Sequence, residues 1–144
     1  MALIDALAGL PVAIDGYALH RLRQPVPGFT RVSTVVTVHG AGATGAGEDV
    51  SYLPEDQDTF PAGLPLRGRW TFGEASQALG EMDLFPAAPG QEAAVDYRLW
   101  ALESAVLDLA LRQAGLSLGA ALGRRYRSVR FVASPRGDGV EEWL

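Results

Sequence analysis

His39–Asp49, HGAGATGAGED, places Gly40, Gly42 and Gly45 in the spacing G-x-G-x-x-G, directly after the strand-like run Val32–Val38, VSTVVTV. That spacing cradles a pyrophosphate only when a helix opens inside it, because the helix N-terminus supplies free N–H groups and the positive end of its dipole. The residues that follow, AGEDVSYLPEDQ, lack apolar recurrence at three and four, and Pro54 would interrupt a growing helix. The second strand that should end in a ribose-binding acid is replaced by FPAGLPLRGRW, broken by Pro61, Gly63, Pro65 and Gly68. A β-hairpin fits instead: Val32–Val38 rises, Gly40–Gly42 turns with positive φ, and Thr44–Val50 returns antiparallel.

Outward from this hairpin, PVAIDGYALHRL at residues 11–22 mixes apolar and polar positions with β-branched and aromatic residues, as a first strand does. RQPVPGF carries two prolines and a glycine and predicts a loop of about eight residues. The expected sheet is therefore a three-stranded antiparallel meander in sequence order. From Tyr52 to Arg69 the prolines at 54, 61 and 65 indicate an irregular or briefly helical connection. Thr71 and Glu74 in TFGE have capping-box spacing and start a helix running to Met82. The longest helical signal is Gln91–Gly115, QEAAVDYRLWALESAVLDLALRQAG, made of good helix formers with Gly115 as its stop. Its charges are sparse, among them Arg98, Glu103, Asp108 and Arg112. Its apolar residues, Leu99, Trp100, Leu102, Val106, Leu107, Leu109 and Leu111, occupy most of the circumference, so the helix calls for neighbours on more than one side. Ser117 caps a short helix, RSVRFVAS reads as a strand, and GDGVEEWL as another helix start. The fold class is α+β.

Composition narrows the chemistry. The chain has 144 residues, 48% of them hydrophobic and 20% charged, which fits a globular domain with a real core. The formal net charge is −5, and no basic run exceeds Arg124-Arg125, so no nucleic acid is expected as a partner. No membrane segment or signal peptide is read in MALIDALAGLPVAIDG, which carries Asp5 within its apolar stretch, and the default compartment is cytoplasmic. There are no cysteines, and all twelve basic residues are arginine. Without lysine, the chain can form no Schiff base, Walker-A contact or lysine general base. His20 and His39 lack triad-like or metal-binding spacing and read as strand residues.

The order of these features resembles the N-terminal capping domain of the enolase superfamily, in its mandelate racemase and muconate lactonizing enzyme branch. GATGAGE, ending in Gly45, Gly47 and Glu48, is similar to that family's D-G-x-x-G-x-G-E. WALESAVLDLALRQAGLSLGAALG is similar to its long helix, with Asp108 in the acidic position and Gly115, Leu118, Leu122 and Gly123 in the closing motif. RSVRFVAS looks like the first strand of the catalytic barrel.

The resemblance implies a cap over residues 1–126 and the first strand and helix start of a truncated (β/α) barrel over 127–144, with most of the barrel missing. It implies a parent enzyme, an isomerase or lyase that abstracts a proton α to the carboxylate of a small substrate and stabilises the enolate with Mg²⁺. The metal carboxylates and bases belong to barrel strands. On this chain we therefore expect no catalytic residue, no metal site and no cofactor. By position the family's two specificity loops correspond to Gln24–Thr30 and Asp49–Phe60. Gln24, Pro25, Phe29, Thr30 and Tyr52 are the expected substrate-capping residues, Phe29 and Tyr52 foremost. Glu48 and Asp108 are expected to be structural. The expected partners are the barrel or another copy of the chain. A stand-alone interaction or oligomerisation module without enzymatic role is the alternative.

Overall fold

A computed structural model describes residues 3–131. In chain order the elements are α1 (Leu3–Leu7), β1 (Pro11–Ile14), β2 (Gly16–Val26), β3 (Phe29–Gly40), β4 (Ala43–Asp49), α2 (Pro54–Asp58), β5 (Gly68–Thr71), α3 (Phe72–Gly80), α4 (Ala93–Ala114) and α5 (Leu118–Ala121). The fold is α+β, with an antiparallel β2-β3-β4 meander and a separate two-stranded β1-β5 sheet.

The glycine-rich stretch turns at Ala41 and Gly42, whose φ angles of 47° and 77° suit a two-residue hairpin, and Gly40 pairs with Ala43. A strand follows, not a helix. Its glycines serve close packing. A Cβ on Gly45 would lie 2.2 Å from the Ala105 carbonyl oxygen, and one on Gly47 would lie 2.0 Å from that of Ala101. Bare backbone on β4 thus lets α4, presenting Ala101 and Ala105, settle directly on the sheet, and both alanines are buried. Val36 and Val38 on β3 and Leu102, Val106 and Leu109 on α4 complete this layer, each without solvent exposure.

The strand expected over residues 11–22 is two strands. The chain leaves the meander at Asp15, and β1 pairs with β5 instead. Gly40 permits this crossing, since a Cβ there would fall 1.9 Å from the Ala13 carbonyl oxygen. The Gln113 side chain then closes β1 from the other side: its Oε1 accepts from the Ala13 N–H at 2.9 Å and its Nε2 donates to the Ala13 carbonyl at 2.8 Å. A side-chain amide here stands in for a neighbouring strand.

The loop expected at RQPVPGF is also corrected. β2 continues through Gln24 and Pro25 to Val26, and β3 begins at Phe29, so only Pro27 and Gly28 turn. β2 is an edge strand, where a proline can sit without removing a ladder bond. Pro27 followed by Gly28 at φ 90° has the composition of a type II turn.

The helical half follows the sequence more closely. Thr71 and Glu74 form the capping box of α3, and α4 ends at Gly115 with φ 64°. Ser117 Oγ accepts from the Ala120 N–H at the start of α5. The neighbours that α4 requires are β4, β3, α3 and β1. They leave Leu99 and Leu107 half-buried and Leu111 buried, while Trp100 stays 55% exposed. The segment RSVRFVAS forms neither helix nor strand between Arg127 and Phe131. Its remainder and the GDGVEEWL helix start lie outside the described residues.

Candidate functional site

Asp49 ends β4 opposite Thr34 on β3, and there the sheet meets a buried charge pair. Arg98 on α4 donates from Nε to Asp49 Oδ2 at 3.0 Å, and neither side chain has any exposed surface. The guanidinium also donates from Nη1 to the Leu84 carbonyl at 2.9 Å and from Nη2 to the Asp56 carbonyl. It lies 3.6 Å from the Phe85 ring centroid and 4.6 Å from that of Phe60. Burial pulls the Arg98 guanidinium below its ordinary value, and the hydrogen bond and charge of Asp49 work against that pull.

The same carboxylate holds the segment after β4. Asp49 Oδ1 accepts from the Ser51 N–H at 2.9 Å and from its hydroxyl at 2.6 Å. Gln57 Nε2 donates to the backbone carbonyls of Asp49 and Ser51, and its Oε1 accepts from the Thr34 hydroxyl at 2.7 Å. Asp56 Oδ1 accepts from the Gly90 N–H at 3.0 Å. Further on, Tyr17 Oη donates to the Pro61 carbonyl and accepts from the Leu64 N–H. The second expected loop, Asp49–Phe60, is thus a short helix bolted down by buried polar groups. Buried amides and charges need such partners, so once satisfied they fix one conformation.

Ser51 is anchored, and Tyr52 beside it points outward with 74% of its surface exposed. Its ring stands edge-on to Tyr97 at 6.1 Å, and Tyr97 stands edge-on to Trp100 at 5.8 Å. Phe29, 66% exposed at the hairpin end, shares with Tyr52 a shallow pocket of about 290 Å³. Arg31, Val32, Val50 and Ser51 complete its lining. The structure therefore brings together Phe29 and Tyr52, the two aromatic residues expected to cap. Gln24 opens instead onto a separate hollow with Leu22, Ser33 and Glu48, while Pro25 and Thr30 pair across the hairpin without lining the pocket.

Arg31 is the pocket residue that sequence reasoning missed. It follows Phe29 by two on a strand and so shares its face, a relation hidden while that segment reads as a loop. Glu48 accepts from the Ser33 hydroxyl at 2.5 Å on the outer face of the sheet. Asp108 is half-buried, accepting from the Ala46 N–H at 3.0 Å and pairing with Arg112. Both Asp49 carboxylate oxygens are committed, Oδ2 to Arg98 and Oδ1 to Ser51, while Asp56 Oδ2 is buried without a hydrogen-bond partner among the described residues. Among the described residues no three His, Cys, Asp or Glu side chains are grouped to hold a metal.

The family model described as Domain of unknown function (DUF8230) N-terminal domain matches residues 5–121. The chain belongs to this family. No curated protein and no solved structure matches the chain. The DUF8230 match spans every described element from the end of α1 to α5, so the meander, the buried Asp49–Arg98 pair and the Phe29–Tyr52 pocket all lie within it. Among the described residues no helix is long and apolar enough to cross a membrane.

Proposed function

We propose that this domain is the substrate-capping and specificity domain of an enolase-superfamily enzyme, a racemase, epimerase, cycloisomerase or dehydratase whose chemistry resides on a following barrel. The observation that carries the proposal is the convergence of Phe29 and Tyr52. Two segments 23 residues apart, singled out by the resemblance, present exposed aromatic rings around one pocket. A rigid ring offers apolar contact at little entropic cost, which suits a surface that closes over an organic substrate. The family's description as an N-terminal domain accords with chemistry supplied elsewhere in a longer protein.

In such an enzyme the barrel's Mg²⁺ would stabilise the enolate, and this domain would contribute selection and exclusion of water. Exchange of the substrate α-proton in D₂O with Mg²⁺ tests the division of labour. The 144-residue chain alone is expected to give no exchange with any 2-substituted carboxylate, and exchange is expected once the chain is joined to its barrel. Turnover by the isolated chain, or a reading frame that continues into something other than strands ending in Asp, Glu or Lys, would overturn the proposal. The interaction-module reading draws on a different feature, the aromatic row of exposed Tyr52, half-buried Tyr97 and exposed Trp100.

A further inference from the structure

Residues 3–123 carry 14 acids against seven arginines, whereas residues 124–130 contain Arg124, Arg125, Arg127 and Arg130 and no acid. The charge of the chain is thus divided between an acidic body and a basic segment after α5. All four arginines are exposed, and none has an ion-pair partner among the described residues. They alternate with exposed apolar side chains, Tyr126, Val129 and the 91% exposed Phe131.

The body offers a surface of the opposite kind. From the N-cap of α4 into its first half, Glu92, Asp96 and Trp100 succeed one another at intervals of four and form one stripe, with Tyr97 and Tyr52 beside it. Glu92 and Asp96 are exposed and without an ion-pair partner among the described residues. Aromatic faces flanked by carboxylates are a favourable seat for guanidinium groups, by cation–π contact and by charge.

The two surfaces are set apart within one copy. Trp100 lies 14 residues before the end of α4, roughly 21 Å along the axis. The basic segment is held at the far end, where the Tyr126 ring covers α5 so closely that a Cβ on Gly119 would lie 2.8 Å from it. We propose that the arginine segment 124–130 of one copy docks on the acidic aromatic stripe of a second copy. The contact is head-to-tail, so each pair of copies keeps one free surface of each kind and association grows with concentration. It shares Tyr52 with the pocket, and Arg127 and Arg130 with the segment that the capping proposal gives to the first barrel strand, whereas Tyr97 and Trp100 belong to neither, so Trp100→Ser distinguishes the two proposals.

Light scattering and sedimentation of the full chain at several concentrations test this. Concentration-dependent association is expected, weakened at least tenfold by Trp100→Ser, by Glu92→Arg with Asp96→Arg, or by Arg124→Glu with Arg125→Glu and Arg127→Glu, and weakened by salt. All three sites are exposed, and circular dichroism checks that each variant stays folded. The decisive arm mixes the two charge-reversed chains, whose acidic segment and basic stripe should restore a complex that neither forms alone. A monomer at every concentration, association indifferent to charge reversal, or no complex in the mixture would overturn the proposal. So would binding of the arginine segment to anionic vesicles or single-stranded RNA without self-association.

Discussion

Arg98 is the residue on which the largest number of segments depend. It joins α4 to the end of β4, to α2 and to the stretch before α4 through Asp49, Asp56 and Leu84. Arg98→Met would keep much of the volume between Phe60 and Phe85 while leaving Asp49 buried without its counter-charge. Breaking a buried pair from one side costs about 3–5 kcal/mol, and we expect a loss of that size in urea unfolding. Gly47→Ala tests a different force. Its Cβ would meet the Ala101 carbonyl, a backbone atom that cannot rotate away, so a destabilisation of roughly 3 kcal/mol is expected without any change in nucleotide affinity. Micromolar binding of NAD, NADP, FAD or ATP that Gly42→Val removes would contradict this reading of the glycines.

At the scale of elements, legibility in the sequence follows the range of the interactions. The capping box at Thr71, the Gly115 stop and the Ala41-Gly42 hairpin turn are determined by residues a few positions apart, and each lies where the pattern places it. The separation of β1 from β2 was hidden because it depends on Gly40 and Gln113, one from the next hairpin and one a hundred residues away. Pro25 misled because its tolerance in β2 depends on that strand lying at a sheet edge, a property of the assembled sheet. Half of the candidate site was visible as two aromatic residues. Its rigidity was not, because Asp49 and Arg98 are 49 positions apart.

The start of α3 also carries a pH signature. Glu74 accepts from the Thr71 N–H and hydroxyl, and these bonds, the backbone one first, hold its carboxyl below the usual glutamate range. A carboxylate with a depressed native value stabilises the fold fully above its unfolded range and ceases to do so as pH falls through the native value. Unfolding measured from neutral to acidic pH should therefore show wild type and Glu74→Gln converging at the acid end.

For the whole molecule, buried polar groups hold Ser51 and Gln57 in place while Tyr52 and Phe29 face outward. Such a scaffold serves selection better than motion. Neither the ladder-bound hairpin end nor the α2 segment is expected to behave as an open loop, and hydrogen exchange should find the amides of Ser51 and Gly90 protected. The decisive measurement is kcat/KM for a panel of 2-substituted carboxylates in a protein where this domain precedes the proposed barrel, with and without Phe29→Ala and Tyr52→Ala. If the domain selects substrate, the ratios between substrates should shift about tenfold or more, some 1.4 kcal/mol in transition-state discrimination, while the best substrate still turns over. Unchanged ratios in a folded double variant would contradict the capping function.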